Sequence, residues 1–189
     1  VAVTVGFTLY FFFRSETLKR YGLMVLGFGM VFFGMNLMCD ATYPLRDHPP
    51  FIELLQNIRE PLYAVAMSAG FTALIQSSSA TTGVIIVLAG QGLITLEQGI
   101  ALVFGANIGT SITAMLASIG KPPEAVRTAL IHVCFNLLGV LLWFGLIDEA
   151  ARLIREISPS AQSLGGIERL EAETPRQIAI LHTLFNVGN

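Results

Sequence analysis

Six of the seven side chains at positions 76–82, QSSSATT, are polar and uncharged, and they stand between the apolar runs FTALI and GVIIVLAG. A second uncharged polar stretch, GANIGTS at 105–111, interrupts another apolar run. Hydroxyls, amides and backbone groups at helix ends can hold ions without formal charge. A helix N-terminus offers unpaired N–H groups and the positive end of the macrodipole to an anion, whereas a C-terminus offers free carbonyls to a cation. If residues 77–79 cap a helix beginning near Ala80, and 107–111 cap the half-helix SITAMLAS, two N-termini face the anion. Carbonyls near Gln76, Gly105 and Ala106 then face a cation. Two N-termini amount to about +1, too little for a divalent oxyanion. No Lys or Arg occurs in 61–120, so bound small cations are the expected source of the missing charge, and ion coupling follows. A proton-only mechanism is disfavoured, because Glu97 is the sole Asp, Glu or His in that stretch.

The elements that position these residues must lie in lipid. The chain of 189 residues is 53% hydrophobic and only 13% charged, against about 25% charged in soluble domains, and its mean hydropathy is +0.68. The expected class is an all-α polytopic membrane protein. A net charge of -2 gives no support to nucleic acid or another polyanion as partner. Cys39 and Cys134 lie in apolar segments without C-x-x-C spacing and read as small buried side chains rather than a disulfide or metal site. The opening VAVTVGFTLYFFF has no basic n-region and no small-residue cleavage site, which argues against a signal peptide. Apolar runs at both ends lead us to expect a piece of a longer protein.

Residues 1–39 read as scaffold transmembrane helices: a truncated span at 1–13, the connector RSETLKR, and a span at 21–39 whose Gly22, Gly27, Gly29 and Gly34 permit close helix approach. Residues 40–60 form an interfacial loop with an amphipathic helix at FIELLQNI. In 61–120, two apolar runs at 61–75 and 80–94 would each be ~22 Å long as helices, against a hydrocarbon core of ~30 Å. A re-entrant hairpin with QSSS at its tip accounts for both the short arms and the polar centre, and the run at 99–120 reads as a transmembrane helix broken at GANIGTS. Residues 121–157 supply a span at 128–147 and an amphipathic end, EAARLIREI; 158–175 are a linker, and 176–189 start the next transmembrane segment. The distribution of Lys and Arg between the two sides, five against six, leaves orientation nearly unassigned.

A plainer reading competes at each position, since Ser, Thr and Asn also serve as interhelical hydrogen-bonding glue. For single residues such as Thr113 or Ser118 that reading is preferred; for six polar positions together at a tip, ligand contact is. His132 and Asn136 share a helix face at i, i+4 and read first as structural hydrogen-bonding groups, with substrate contact as the alternative. Glu97 reads as an interfacial cap. Two other functional classes stay open: an intramembrane serine hydrolase with Ser78 as nucleophile and His132 as base, which lacks a Gly-x-Ser turn, and a non-transporting membrane packing or signalling module. The motif H-x-x-F-N recurs at 132–136 and 182–186, a hint of repeated architecture.

QSSSATT, GANIGTS and HVCFN together resemble the sodium-dependent phosphate cotransporter family, which includes the animal type II carriers and bacterial relatives, and the likeness runs from GFGMVFFGMNLM to HTLFNV. The resemblance implies one half of an inverted-repeat, elevator-type symporter of inorganic phosphate, whose other QSSS repeat lies elsewhere in the same protein. It implies phosphate contacts from Gln76, Ser77, Ser78, Ser79, Asn107, Thr110 and Ser111, and sodium ion ligands from Gln76, Ser79, Thr82, Asn107 and Gly109, with His132 and Asn136 behind them. It further implies residence in a bacterial inner (plasma) membrane in contact with lipid, and a homodimer formed through scaffold spans. Electrogenic animal members carry, in one repeat, an Asp directly after the His of H-x-x-F-N; Val133 stands there in this chain, so electroneutral transport is the expectation unless the other repeat carries that Asp.

Overall fold

A computed structural model describes residues 1–44 and 48–188, apart from the side chain of Gln56. The described residues are helical throughout, without a strand, and divide into two units, Val1–Tyr43 and Pro44–Asn189. Residues 45–47, within the expected interfacial loop, lie outside the described part.

The first unit pairs α1 (Ala2–Phe12) with α2 (Glu16–Thr42). Glycines set their spacing: a Cβ on Gly22 would stand 2.6 Å from Tyr10 N, and one on Gly29 2.7 Å from Val3 N, so backbone meets backbone. The helix α2 starts within the segment read as a connector, because Ser15 at its N-cap, Glu16 in its first turn and the Glu16–Lys19 pair suit a helix N-terminus as well as a loop.

In the second unit, α3 (Pro49–Asn57) precedes two short apolar helices, α4 (Pro61–Ile75) and α5 (Ser78–Gly90), joined by two residues. Next come α6 (Leu96–Ser118), α7 (Pro123–Phe144), the amphipathic α8 (Ile147–Ile157) and α9 (Gly166–Gly188). Among the described residues three helices are long and apolar enough to cross a bilayer: α2, α6 and α7. The centre of this unit is α6, buried from Gly99 through Asn107 and again at Gly109 and Ser111. Phe104 of α6 meets Phe185 of α9 with ring centroids 4.9 Å apart, and Trp143 of α7 stands edge-on to Phe185 at 6.2 Å. Away from this core α7 exposes Leu130, Ile131, Leu138, Leu141 and Leu142, an outward apolar face of the kind that lipid or another protein surface covers.

At the start of α6 the cap is Thr95 rather than Glu97. The Thr95 hydroxyl accepts from Gln98 N–H at 3.3 Å while the Gln98 side chain accepts from Thr95 N–H at 2.8 Å, and Glu97 is left to pair with Arg155 of α8. The stretch read as a linker shortens to 158–165, because IERLEAE is built of strong helix formers that carry no apolar period to reveal them.

That short connection is tied down by one carboxylate. Ala161 N–H donates to Glu173 Oε1 at 2.7 Å, and Arg169 Nε does so at 2.9 Å. These donors, the backbone N–H foremost, hold the Glu173 carboxyl below its ordinary 4.5. A depressed folded pKa means that the tether is complete above the ordinary value and is lost as pH falls through the folded value. Pepsin cleavage within 158–165 should therefore rise only as pH falls below the ordinary glutamate value, and Glu173→Ala should be cleaved readily already above it. Cleavage in the parent that tracked the variant at every pH would remove Glu173 as the tether.

Candidate functional site

The hairpin tip is built by the residues that opened the sequence reading. Helix α4 ends as Gln76 enters the left-handed region, φ 59 and ψ 29, and its N–H donates to Thr72 O at 2.6 Å. A side chain in that region costs about 1–2 kcal/mol, so neighbouring contacts must enforce it. Ser77 is extended and caps α5: its hydroxyl accepts from Ala80 N–H at 3.2 Å and its carbonyl accepts from Thr81 N–H at 3.1 Å. The Thr81 hydroxyl also donates to Ser77 O at 3.2 Å and accepts from the Thr72 hydroxyl at 2.8 Å, which fastens arm to arm. Among the described residues nothing accepts from Ser78 N–H or Ser79 N–H, so the first turn of α5 keeps two free donors beside half-buried Ser78 and exposed Gln76 and Ser79. Thr82 is 7% exposed, and its hydroxyl is buried without a partner among the described residues.

The expected break in the second polar stretch is corrected: α6 runs unbroken from Leu96 to Ser118 through GANIGTS. Its glycines serve close approach instead of a turn. A Cβ on Gly105 would fall within 3.0 Å of Val65 O and 2.9 Å from Ser68 Cβ, and one on Gly109 would stand 2.6 Å from Ala69 O. The pairing of Gly105 with Val65 and Gly109 with Ala69 and Thr72 also shows that α4 and α6 run in the same direction. The polar side chains are satisfied without breaking the helix, since Asn107 Nδ2 donates to Val103 O at 3.0 Å and Thr110 Oγ1 to Ala106 O at 2.9 Å. Ser68 of α4 adds a cross-link to α6, donating to Leu102 O at 2.6 Å.

On its other side α6 is gripped by α7. Asn136 Nδ2 donates to Asn107 O and to Ser111 Oγ, both at 3.0 Å. Asn136 thus fastens α7 to α6 at Asn107 and Ser111, which the unbroken helix itself places one turn apart, and the tip residues are linked to α6 through Thr72, which abuts Gly109. No hydrogen bond among the described residues joins a side chain of 76–79 to one of 107–111. His132 lies elsewhere, exposed in an alanine-lined groove with Ala114, Ala117 and Ala129, and it makes no hydrogen bond to Ser78 among the described residues. The repeated motif is used unequally: Asn136 reaches a neighbouring helix, whereas Asn186 donates back to His182 O at 2.7 Å.

The description Na+/Pi-cotransporter matches residues 51–166, more than half of the chain and all of α4 to α8. The chain belongs to the Na+/Pi-cotransporter family. Among relatives, the uncharacterized protein YqeW of Bacillus subtilis (strain 168) is 30% identical over 184 residues, 97% of this chain and 56% of that protein. The sodium-dependent phosphate transport protein 2C of Rattus norvegicus is 48% identical over 85 residues, 43% of this chain and 14% of that protein, and the human protein 2B is 44% identical over 85 residues. The chain thus spans just over half the length of the bacterial relative and a small part of the animal ones. No solved structure matches it.

The unbroken α6 alters the electrostatics expected of this family member. One helix N-terminus, that of α5, is available in the second unit's polar region instead of two, about +0.5 in place of +1. Ala106 O is not a free cation ligand either, because it accepts from Thr110. Residues to which the sequence reading gave no individual role do much of the joining: Ser68, Thr72 and Thr81 are buried and cross-linked. GANIG is itself a G-x-x-x-G sequence, a signal of helix approach in lipid that pointed to this arrangement.

Proposed function

We propose that this chain is one half of a sodium-coupled symporter of inorganic phosphate in a bacterial inner (plasma) membrane, with α4 and α5 as a re-entrant hairpin. The observation that carries the proposal is the tip, where Ser78 and Ser79 N–H are left free beside three serine hydroxyls at the start of α5. Phosphate sits there, met by Gln76, Ser77, Ser78 and Ser79 and, from α6, by Asn107, Thr110 and Ser111. Sodium takes ligands among Gln76, Ser79, Thr82, Asn107 and Gly109; the unpartnered hydroxyl of buried Thr82 supports its place in that set. His132 and Asn136 stand behind, and Asn136 already holds Asn107 and Ser111. With about half a positive charge from one helix and no cationic side chain in 61–120, a divalent anion needs sodium and the other QSSS repeat of the same protein to complete its cage. Family relatives named as phosphate transport proteins favour this over hydrolysis at Ser78.

The complete protein, reconstituted in liposomes, should take up labelled phosphate when sodium is outside and fail to do so with choline in its place. Removing a hydrogen bond to a charged group costs about 1.5–3 kcal/mol, so Gln76→Ala and Ser78→Ala should each lower uptake by about tenfold or more. Uptake untouched by both substitutions would take these residues out of the site. A phosphate-dependent inward current would reject the electroneutral stoichiometry that Val133 suggests.

A further inference from the structure

The two arms of the hairpin do not fill the space between them. A cavity of about 180 Å³ lies there, walled by Met67 and Phe71 of α4 and by Val84 and Leu88 of α5, with Leu102 of α6 and Ile58 after α3 also lining it. The arms are fastened at the tip by the Thr72–Thr81 hydrogen bond, and Ile58, 2% exposed, is buried at the other end of the cavity. Between those points no hydrogen bond among the described residues joins α4 to α5. Two hydroxyl side chains also line the cavity, but both are engaged elsewhere: Ser68 donates to Leu102 O, and Thr81 donates to Ser77 O while accepting from Thr72. Water in a buried site needs two to four polar partners, and an apolar cavity of ~150 Å³ stays dry and accepts benzene. This cavity is somewhat larger and as poor in free polar groups, so it suits hydrocarbon and not water.

The source of that hydrocarbon is beside it. Phe71 lines the cavity and is also 39% exposed, so the cavity reaches the surface of α4 on the side where Leu74, three residues on, is 82% exposed. We infer that the cavity between the hairpin arms is a binding site for the end of a lipid acyl chain. The chain end acts as a wedge that holds the arms at their observed separation below the Thr72–Thr81 tie, and through Thr81 it bears on the geometry of the tip. This inference rests on the hairpin lying in lipid and not on which ion the protein carries.

The test uses the complete protein in vesicles of phosphatidylethanolamine and phosphatidylglycerol that contain a trace of phosphatidylethanolamine with a diazirine at its acyl terminus. After illumination, mapped adducts should appear at Met67 and Leu88 inside the cavity as well as at exposed Leu74. Val84→Phe fills the cavity and should abolish the adducts at Met67 and Leu88 while leaving that at Leu74. On the unaltered protein, cyclohexane should compete for the same two adducts and spare Leu74, which decides the matter even if the variant does not fold. Labelling of Leu74 without Met67 and Leu88, or cavity adducts that cyclohexane leaves unchanged, would overturn the assignment.

Discussion

Gly105→Ala should abolish recovery of the full-length protein as a monodisperse species in detergent, whereas Gly70→Ala, on the helix that Gly105 touches, should leave it intact or slightly more stable. The added methyl at 105 would sit within 3.0 Å of Val65 O, 2.9 Å from Ser68 Cβ and 3.0 Å from Ala69 N. Two of those atoms belong to backbone, so no rotamer change relieves the clash, and α4 must move off α6. That movement also breaks the Ser68 bond to Leu102 O. Overpacking that side chains can absorb costs about 1–3 kcal/mol; a backbone clash at the centre of the unit exceeds that range. Gly109→Ala, at 2.6 Å from Ala69 O, should behave the same way. Gly70 has nothing within 4 Å of its would-be Cβ, so there the gain in helix propensity, up to about 1 kcal/mol, stands alone. Gly99→Ala is intermediate, because its close contacts are side-chain and not backbone atoms, Cδ1 and Cγ1 of buried Ile178 at 2.5 and 2.8 Å. Thermal unfolding monitored by size-exclusion chromatography ranks the four variants, and a Gly105→Ala protein as stable as the parent would refute backbone contact between α4 and α6.

These glycines also show where sequence reading reached its limit. The hairpin was legible: two apolar runs too short to cross lipid, joined by uncharged polar residues, leave few alternatives, and the observed tip at Gln76 and Ser77 lies inside the expected one. GANIGTS carried two signals, a polar break and the G-x-x-x-G of helix approach, and nothing in the sequence decided between them. A glycine in a sequence signals either backbone freedom or close approach, and which one applies depends on the surface opposite it. Here the opposite surface is the small-residue face of α4, with Val65, Ser68 and Ala69 against Gly105. Polar side chains carry the same ambiguity, since Asn107 and Thr110 turn onto carbonyls one turn back and need no break. The start of α9 was hidden for a different reason: its first turns are polar, so length and helix propensity, not an apolar period, were the only clues.

Asn136 makes the sharpest separable test of how α6 is held on its polar side. Both of its bonds run from one nitrogen, to Asn107 O and to Ser111 Oγ, and a carbonyl can only accept. The position therefore requires a donor. Asn136→Ala removes two interhelical bonds, each worth about 0.6 kcal/mol and at most ~1.7 in measured membrane cases, so a modest loss of thermal stability is expected. Asn136→Asp keeps the size and shape yet replaces the donor with an acceptor that faces Asn107 O. If the side chain were a mere space-filler, the isosteric change would be the gentler one. Because an uncompensated charge at a partly buried position costs several kcal/mol, we expect the reverse order, with Asn136→Asp clearly less stable than Asn136→Ala. The sodium-driven phosphate uptake proposed above should fall in both, since α6 loses its fastening to α7 beside Asn107 and Ser111. An Asn136→Asp protein as stable as the parent would mean that Asn136 does not hold α6, and the placement of Asn107 and Ser111 at the site would lose its structural support.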